Sequence, residues 1–367
     1  MEIQAAVVRQ VGGPFEIEEL TLDDPRDDEV LVRIVGAGIC HTDLIVRDQH
    51  YPPKLPVVLG HEGSGVVEKV GAGVVEFAPG DHVVLTFMSC GRCQSCLIAE
   101  PTSCDHMMDF NFGGRAIDGR ATIHDGEVAI ASSFFGQSSF ATWALANERS
   151  VVKVPKDIPL EILGPLGCGI QTGAGSAING IKLPAGETIV ILGAGAVGLS
   201  AVMGSVIVGA GRIISVDLKK NRLELAKELG ATDVIDASSA NVVDEIMRLT
   251  RGGGARYILE TSGNPVSLKN GINALHVGGT LGIVGAPPLG TEVTIDVNHI
   301  LLNRTVRGFI EGMSVPKVFI PRLIELYRHG HFPFDKLIKF YSLEDINKGV
   351  SDSESGVTIK PVLRMAS

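Results

Sequence analysis

Cysteine and positive charge are both scarce in this chain of 367 residues. Its six cysteines are too few for a scaffold held together by disulfides. Lysine and arginine number 32 against 42 aspartates and glutamates, which gives a net charge of −10. A chain this acidic lacks the basic surface that nucleic-acid phosphates require, so we expect no nucleic-acid partner. A hydrophobic content of 45% with 20% charged residues excludes a disordered chain, and the length predicts two domains.

Neither a signal peptide nor a membrane span is predicted. The N-terminus, MEIQAAVVRQ, lacks the basic start and long apolar run of a secretory signal. Residues 188–211 carry no charge and are long enough to cross a bilayer, but glycines interrupt them and no second such run follows. We therefore expect a buried strand, turn and helix there, in a cytoplasmic protein. In that reducing compartment, clustered cysteines indicate metal ligands rather than disulfides.

The hydrophobic pattern changes near residue 187. Before it, short β-branched runs such as VLVRIVGAGI and DHVVLTF are separated by glycine and proline, which indicates a β-rich region. Beyond it, apolar strands alternate with helical patterns, as in TIVILG, AVGLSAVMGSVIVGA and RIISVD. That alternation predicts an α/β fold with a doubly wound parallel sheet. After about residue 304 the pattern is mixed and includes an amphipathic helix near 318–328.

A glycine-rich turn between the first strand and helix of this α/β region has the pattern of a dinucleotide site. The sequence GAGAVG fits G-x-G-x-x-G, follows an apolar strand and opens a helix. Gly193 permits the tight turn, Gly195 lets the backbone approach a pyrophosphate, and Gly198 permits close packing of helix on strand. The helix N-terminus, with Ala196 and Val197, supplies N–H groups and a positive dipole end. The alternative is that the glycines serve helix packing alone.

The choice between NAD and NADP depends on the end of the second strand of this region. Asp217 stands there, 19 residues after Gly198. A carboxylate accepts hydrogen bonds from the ribose hydroxyls and repels a 2′-phosphate, so Asp217 predicts NAD. Lys219, Lys220 and Arg222 follow closely, and a cation there can hold a 2′-phosphate. Arg222 is therefore also assigned to the cofactor site.

Four cysteines lie within 15 residues, at Cys90, Cys93, Cys96 and Cys104. Thiolates at such short spacings are typical of a closed, structural zinc site. Bacterial iron–sulfur proteins begin with the same C-x2-C-x2-C run, but their fourth cysteine follows after three residues and precedes proline. Here the fourth follows after seven residues and precedes Asp105. Four free buried thiols are the remaining alternative, and the spacing favours structural zinc.

In this order, the segments GICHTD, LGHEGSGVV, GDHVV, the four-cysteine loop, LGCGIQTG and GAGAVG resemble the zinc-dependent medium-chain alcohol dehydrogenase family. The resemblance covers essentially the whole chain. It implies a second, catalytic zinc held by Cys40, His61 and Cys168, with the fourth position open to substrate. The expected cofactors are therefore two zinc ions per chain and NAD.

The same resemblance implies a division into two domains. Residues 1–170 and 305–367 form a β-rich, GroES-like catalytic domain, and residues 171–304 form a Rossmann domain that binds NAD. Substrate and nicotinamide are expected to meet in the cleft between them. Members of the family are dimers or tetramers, so a homo-oligomer is expected, with the tetramer favoured.

The resemblance extends to residues around the expected catalytic zinc. Thr42 would pass the alcohol proton towards the cofactor ribose, although a local backbone hydrogen bond is the alternative for its hydroxyl. The family's histidine three residues further on is Ile45 here, so we expect the proton to leave the ribose directly to water. Asp43 would orient the ligand His61. Glu62 would displace water during ligand exchange, or form an ordinary buried ion pair.

Four further residues match family contacts to the dinucleotide. His41 and Lys360 correspond to cations near the pyrophosphate, with solvated surface charges as the alternative. Thr172 would back the nicotinamide ring, and Val284 lies where backbone groups contact the carboxamide.

Within the family, the segments CHTDLIVRDQHYPPKLPVVLGHEGSG, SSFATWA and HFPFDKLIKFY are similar to the aryl-alcohol branch. This implies oxidation of a small aromatic alcohol to its aldehyde, with branches that oxidise allylic terpenoid alcohols such as geraniol as the alternative. Other classes fit less well. Zinc-free quinone or enone reductases lack the ligand set, a non-catalytic nucleotide-binding protein has little reason to keep it, and iron–sulfur carriers space their cysteines differently.

Overall fold

The computed structural model describes residues 1–365, which divide into two compact units. Unit 1 comprises Met1–Cys168, Val315–Arg322 and the described residues from Asp335 on. Unit 2 comprises Gly169–Ser314 and Leu323–Phe334.

Both units are built on β-sheets with short connecting helices. The strands are, in chain order, β1 (Glu2–Val8), β2 (Phe15–Leu22), β3 (Glu29–Gly38), β4 (Val57–Val58), β5 (Gly63–Val70), β6 (His82–Leu85), β7 (Ile123–Asp125), β8 (Val128–Ile130), β9 (Trp143–Asn147), β10 (Val151–Lys153), β11 (Thr188–Leu192), β12 (Arg212–Asp217), β13 (Asp233–Asp236), β14 (Ala255–Glu260), β15 (Leu275–Ile283), β16 (Thr305–Gly308), β17 (Ile338–Ser342) and β18 (Lys360–Arg364). The α-helices are, in chain order, α1 (His41–Arg47), α2 (Gln94–Leu97), α3 (Met107–Phe112), α4 (Gly169–Gly175), α5 (Ala196–Ile207), α6 (Lys220–Glu228), α7 (Val242–Leu249), α8 (Pro265–Asn273), α9 (Val297–Leu301), α10 (Pro316–Arg328) and α11 (Ile346–Glu354).

Unit 1 contains two sheets. One has the strand order β4-β1-β2-β7-β8, and the other has the order β10-β6-β5-β3-β18-β17, with β9 also paired to β3. The first pair, β1 and β2, is antiparallel with Val8 opposite Phe15. Apolar side chains from both sheets, including Val8, Val32 and Leu85, belong to one buried cluster. The β-branched runs predicted as strands are thus confirmed, because each buries its apolar side chains in this core.

Unit 2 holds a single parallel sheet with the strand order β13-β12-β11-β14-β15-β16. Counted from β11, this is the order 3-2-1-4-5-6 of a dinucleotide-binding sheet. Val190, Ile214 and Ile258 in its central strands are fully buried, as expected for strands covered on both faces. The strand order reverses beside β11, which is where such sheets form a ligand crevice at their carboxyl edge. The predicted doubly wound fold is confirmed.

The boundary expected at residues 304 and 305 lies elsewhere in the structure. Strand β16 pairs in parallel with β15, with Thr305 opposite Thr280. Residues 305–314 therefore belong to unit 2 rather than to the catalytic domain, and so does Leu323–Phe334. The side chains of β16 are exposed or half-buried. An edge strand of this kind has little hydrophobic alternation, so the sequence pattern does not reveal it.

The uncharged run of residues 188–211 folds mainly as strand β11, the glycine turn and helix α5. That helix has 12 residues, fewer than the roughly 20 that a membrane span requires. Among the residues that the structure describes, no helix is both long enough and apolar enough to cross a membrane.

Candidate metal centres and dinucleotide site

The four-cysteine loop brings its sulfur atoms together. Sulfur atoms within 4.8 Å of one another are contributed by Cys90, Cys93, Cys96 and Cys104. Cys93 is the N-cap of α2, so this one short helix presents Cys93 and Cys96 on neighbouring positions of one face. All four are free thiols rather than disulfide partners. Four thiols gathered in this way form the donor set of a closed, structural zinc site.

Backbone N–H groups donate to sulfur atoms of this loop and so stabilise negative charge on them. Arg92 and Cys93 donate to Cys90 Sγ over 3.5 and 3.2 Å, and the Cys90 N–H donates to Cys104 Sγ over 3.3 Å. The bond from Arg92 lowers the pKa of the Cys90 thiol to about 6. In contrast, burial raises the pKa of Cys96 to about 12. A dication offsets both this burial and the mutual repulsion of four thiolates, so the loop fits zinc.

A second cluster joins residues that are far apart in the sequence. Ligand atoms within 4.8 Å of one another are contributed by Cys40, His61, Glu62 and Cys168. Cys40 is the N-cap of α1, His61 lies between β4 and β5, and Cys168 directly precedes α4. His61 is fully buried, and its Nε2 has no hydrogen-bond partner among residues 1–365. A buried imidazole nitrogen beside two thiols fits a zinc ligand, because such nitrogens are otherwise hydrogen-bonded.

Asp43 in α1 fixes the orientation of this histidine. Its Oδ1 accepts hydrogen bonds from His61 Nδ1 and from the Gly60 N–H, each over 3.0 Å. Its Oδ2 accepts from the Cys40 N–H over 2.9 Å. A carboxylate oxygen accepts, so it holds a proton on Nδ1 and leaves Nε2 for a metal. The structure places Asp43 where the predicted orienting role requires it.

At the start of α1, Thr42 lies beside a sulfur of the cluster. Its Oγ1 is 3.8 Å from Cys40 Sγ, and the neighbouring His41 is exposed.

The environment of the Cys40 thiol favours its thiolate form. The hydrogen bond from Cys168 holds the pKa of this thiol well below its usual range. The charge of Lys360 also lowers this pKa, whereas burial acts in the opposite direction. The thiolate is the form that binds metal.

A buried ion pair lies beside the same cluster. Lys360 Nζ donates to both carboxylate oxygens of Glu62, over 2.9 and 3.0 Å, and to the Ile39 carbonyl oxygen over 3.1 Å. Burial raises the pKa of the Glu62 carboxyl, and the charge of Lys360 opposes that shift. The sequence predicts a phosphate contact or a solvated charge for Lys360, whereas its ammonium group is committed to Glu62. The physical reason is that a buried carboxylate requires a counter-charge.

Two phenylalanines that the sequence predictions omit enclose the imidazole of His61. The Phe135 ring stacks on it with centroids 4.5 Å apart, and the Phe134 ring meets it edge-on at 5.3 Å. Gln137 ties their loop to the histidine segment, since it donates to the His61 carbonyl oxygen and accepts from the Gly63 N–H, each over 3.0 Å. The loop thus shields the ring from water. Its signal in the sequence is the run FFGQ, which matches no motif.

The glycine turn after β11 has the geometry that a dinucleotide requires. Gly193 has a φ of +98°, and a Cβ on Gly198 would lie 1.9 Å from the Gly193 carbonyl oxygen. A Cβ on Gly195 would meet nothing within 4 Å, so open space lies beside this turn. Helix α5 begins at Ala196, followed by Val197, and the first N–H groups of a helix have no partner within it. Open space beside N–H groups that have no partner within the helix fits a pyrophosphate.

Asp217 lies at the same edge of the sheet and is joined to the glycine turn. Its Oδ2 accepts from the Ala194 N–H over 2.7 Å, and its Oδ1 accepts from the Lys219 N–H over 2.8 Å. Arg222 Nη1 is 3.9 Å from Asp217 Oδ2.

Val284 follows β15 at the same carboxyl edge, where its N–H donates to the Glu260 carbonyl oxygen over 2.8 Å. The predicted residues of the parallel sheet therefore share one edge, while Thr172 is buried in α4.

Comparison with known proteins identifies the family of this chain. Residues 26–156 match the alcohol dehydrogenase GroES-like domain, and residues 196–327 match the zinc-binding dehydrogenase family. A geraniol dehydrogenase of Castellaniella defragrans is 46% identical over 98% of this chain and 97% of its own. Two crystal structures cover 100% of both chains: an alcohol dehydrogenase zinc-binding domain protein from Burkholderia ambifaria (53% identity, TM-score 0.97) and a benzyl alcohol dehydrogenase from Acinetobacter calcoaceticus (48%, 0.96).

These matches span nearly the whole chain and include both of its units. They support zinc and NAD as the cofactors, in agreement with the donor sets and the glycine turn described above. The chain therefore belongs to the zinc-dependent medium-chain alcohol dehydrogenase family.

Proposed function

We propose that this alcohol dehydrogenase oxidises a primary benzyl-type alcohol to its aldehyde, reversibly, with NAD as the hydride acceptor. The observation that carries the proposal is a group of aromatic rings around His61. The rings of Phe134 and Phe135 lie 5.7 and 5.0 Å from that of Phe112 between centroids. Tyr51 extends the group at 5.6 Å from Phe112. Aromatic rings packed this close to a metal ligand favour a substrate with an aromatic ring next to its carbinol carbon.

The second candidate is an allylic terpenoid alcohol such as geraniol. It is supported by the geraniol dehydrogenase that is 46% identical to this chain, as the benzyl substrate is supported by the benzyl alcohol dehydrogenase at 48%. Both kinds of alcohol carry a π system next to the carbinol carbon, so aromatic rings near the metal ligands suit either.

Residues of this chain would hold the metal, orient its ligand, exclude water and transfer the proton. Cys40, His61 and Cys168 would hold the catalytic zinc, which when bound supplies a Lewis acid next to the alcohol oxygen. Asp43 keeps the Nε2 lone pair of His61 available to the metal. The aromatic loop excludes water from the imidazole. The Thr42 hydroxyl, which donates and accepts at once, would pass the alcohol proton onward.

Initial-rate kinetics test the proposal directly. Benzyl alcohol, cinnamyl alcohol, geraniol and ethanol are compared with NAD, and separately with NADP. We expect the highest kcat/KM with benzyl alcohol and NAD. A preference for ethanol or for a secondary alcohol would contradict the aromatic assignment, and a preference for geraniol would favour the second candidate.

The end of the proton path gives a separate prediction at position 45. Ile45 is buried in α1 and cannot carry a proton. If proton release from the ribose to water limits turnover, histidine at this position provides an acceptor that titrates near neutral pH. We expect Ile45→His to raise kcat below about pH 7, measured as a pH profile. Ile45→Asn is the matched control, since it is polar but does not titrate there. Equal profiles for the two variants would contradict this path.

Cofactor choice gives a further prediction at Asp217. Asp217→Asn keeps a side-chain oxygen for the Ala194 N–H but removes the charge that repels a 2′-phosphate, while Arg222 stays close to the site. We expect the ratio of kcat/KM for NADP to that for NAD to rise at least about tenfold. Asp217→Asn with Arg222→Gln is the control, and it should lose most of this gain. An unchanged ratio would show that Asp217 does not select the cofactor.

A further inference from the structure

A buried carboxylate in unit 2 contacts the helix that follows Cys168. Glu311 is 4% exposed. Its Oε2 accepts hydrogen bonds from Gln171 Nε2 over 3.2 Å and from the Thr172 hydroxyl over 3.4 Å. Both donors lie in α4 and are neutral. Burying a carboxylate costs free energy unless hydrogen bonds replace those it made to water. The Glu311 carboxylate therefore depends on donors such as Gln171 and Thr172.

The backbone around Glu311 is held in an unusual conformation. Glu311, Gly312 and Met313 have φ values of +49°, +62° and +51° in succession. Non-glycine residues rarely adopt this left-handed region, and such residues cluster at functional sites. A Cβ on Gly312 would lie 2.4 Å from the Gln171 carbonyl oxygen, so the segment lies directly against α4. The conformation is what brings the Glu311 carboxylate to Gln171 and Thr172.

Other hydrogen bonds hold the same segment, which we call the Glu311 strap and define as residues 311–314. Asn179 Nδ2 donates to the Gly312 carbonyl oxygen over 3.3 Å. Ser314 Oγ lies 2.9 Å from Gln171 Oε1 and 2.7 Å from the Glu311 carbonyl oxygen. The amide of Gln171 is therefore fixed at both ends, by Glu311 and by Ser314. The Thr172 hydroxyl contacts the strap at the Glu311 carboxylate.

We propose that Glu311 is a positioning residue that orients the Thr172 hydroxyl for the nicotinamide. The inference rests on the proposed function and on the expectation from the family resemblance that Thr172 backs the nicotinamide ring. A carboxylate accepts and does not donate, so the Thr172 O–H is turned towards Glu311. This fixes the side-chain rotamer of Thr172 before the dinucleotide arrives. A contact surface fixed in advance loses less entropy on binding and holds the ring at reacting distance.

The test compares Glu311→Leu, Glu311→Gln, Thr172→Val and the double variant Glu311→Leu/Thr172→Val. The measurements are the NAD dissociation constant by calorimetry without alcohol, kcat for benzyl alcohol, and the thermal midpoint. Glu311→Leu is expected to weaken NAD binding and to lower kcat, each about tenfold. Glu311→Gln, which keeps an oxygen for the Thr172 hydroxyl, should stay within about threefold of the wild type. The double variant should match Thr172→Val in NAD affinity and kcat. Both substitutions remove the same hydrogen bond, which runs from the Thr172 hydroxyl to the Glu311 carboxylate.

Ser314→Ala is the matched control, because it loosens the strap at Gln171 and at the Glu311 backbone but leaves the Glu311 carboxylate and the Thr172 hydroxyl in place. It should lower the thermal midpoint without changing NAD affinity. The proposal is overturned if Ser314→Ala reproduces the effects of Glu311→Leu, if the two single effects multiply in the double variant, or if Glu311→Leu lowers only the thermal midpoint. If the wild type binds NAD and the variants give any of these results, the proposed function stands and only the role of Glu311 is overturned. If the wild type does not bind NAD, both are overturned.

Discussion

Cys168→Ser is expected to abolish most alcohol oxidation while leaving the fold intact. Cys168 contributes one of the two sulfurs beside the unpartnered Nε2 of His61. Loss of a residue that hydrogen-bonds to a metal ligand lowers activity or metal affinity about 10–100-fold, so loss of a ligand itself should have a larger effect. We expect kcat/KM to fall by more than about a hundredfold. Zinc content should fall from two ions per chain to one.

The smaller effect of Asp43→Asn provides the comparison. This variant leaves all three ligands in place but weakens the hydrogen bond that orients His61. We expect a loss of about 10–100-fold, with zinc bound more weakly rather than lost. Zinc analysis, circular dichroism and initial-rate kinetics of both variants decide the matter. A Cys168→Ser protein that retains two zinc ions and wild-type activity would contradict the assignment of the catalytic centre.

Cys104→Ser is expected to destabilise the four-cysteine loop without direct effect on the chemistry. The loop lacks an apolar core of its own, since Leu97 is 73% exposed and Ile98 is 62% exposed. Asn111 anchors the chain on either side, donating to the Met88 and Met107 carbonyl oxygens over 2.9 and 2.8 Å. The residues between these anchors depend on the metal for their conformation.

We expect Cys104→Ser to lower the free energy of unfolding by roughly 3–5 kcal/mol, as the loss of a bound metal does. The thermal midpoint should fall by on the order of 10 °C. Limited proteolysis should cut within residues 91–103, and one zinc ion should remain. Leu97→Ser is the control, because an exposed leucine contributes little to stability. If the two variants resist heat and protease equally, the loop does not rely on zinc.

The predictions for Cys168→Ser and Cys104→Ser rest on the assignment of all six cysteines to one of the two clusters. Four belong to the loop that ends at Cys104, and Cys40 and Cys168 belong to the second cluster. No cysteine is left over, so each cysteine substitution is expected to release one zinc ion. Loss of stability is the expected outcome for the first four, and loss of hydride transfer is the expected outcome for the other two.

Features that depend on neighbouring residues can be predicted from the amino-acid sequence. The turn at Gly193 follows a strand and opens a helix, so its φ of +98° and its place in a doubly wound sheet follow from a local pattern. The four-cysteine loop is likewise local, because short spacing alone brings its thiols within reach of one metal. The resemblance to a known family supplied Cys40, His61 and Cys168 as a second ligand set.

Contacts between segments that are distant in the sequence become visible in the folded chain. Cys40 and His61 are 21 residues apart and Cys168 follows 107 residues later, so the pairing of strands is what brings them within 4.8 Å. The stacking of Phe135 on His61 and the contact of Glu311 with Thr172 also join segments without a shared motif. This difference arises because local spacing fixes turns and short loops, whereas contacts over long separations depend on how sheets and helices pack.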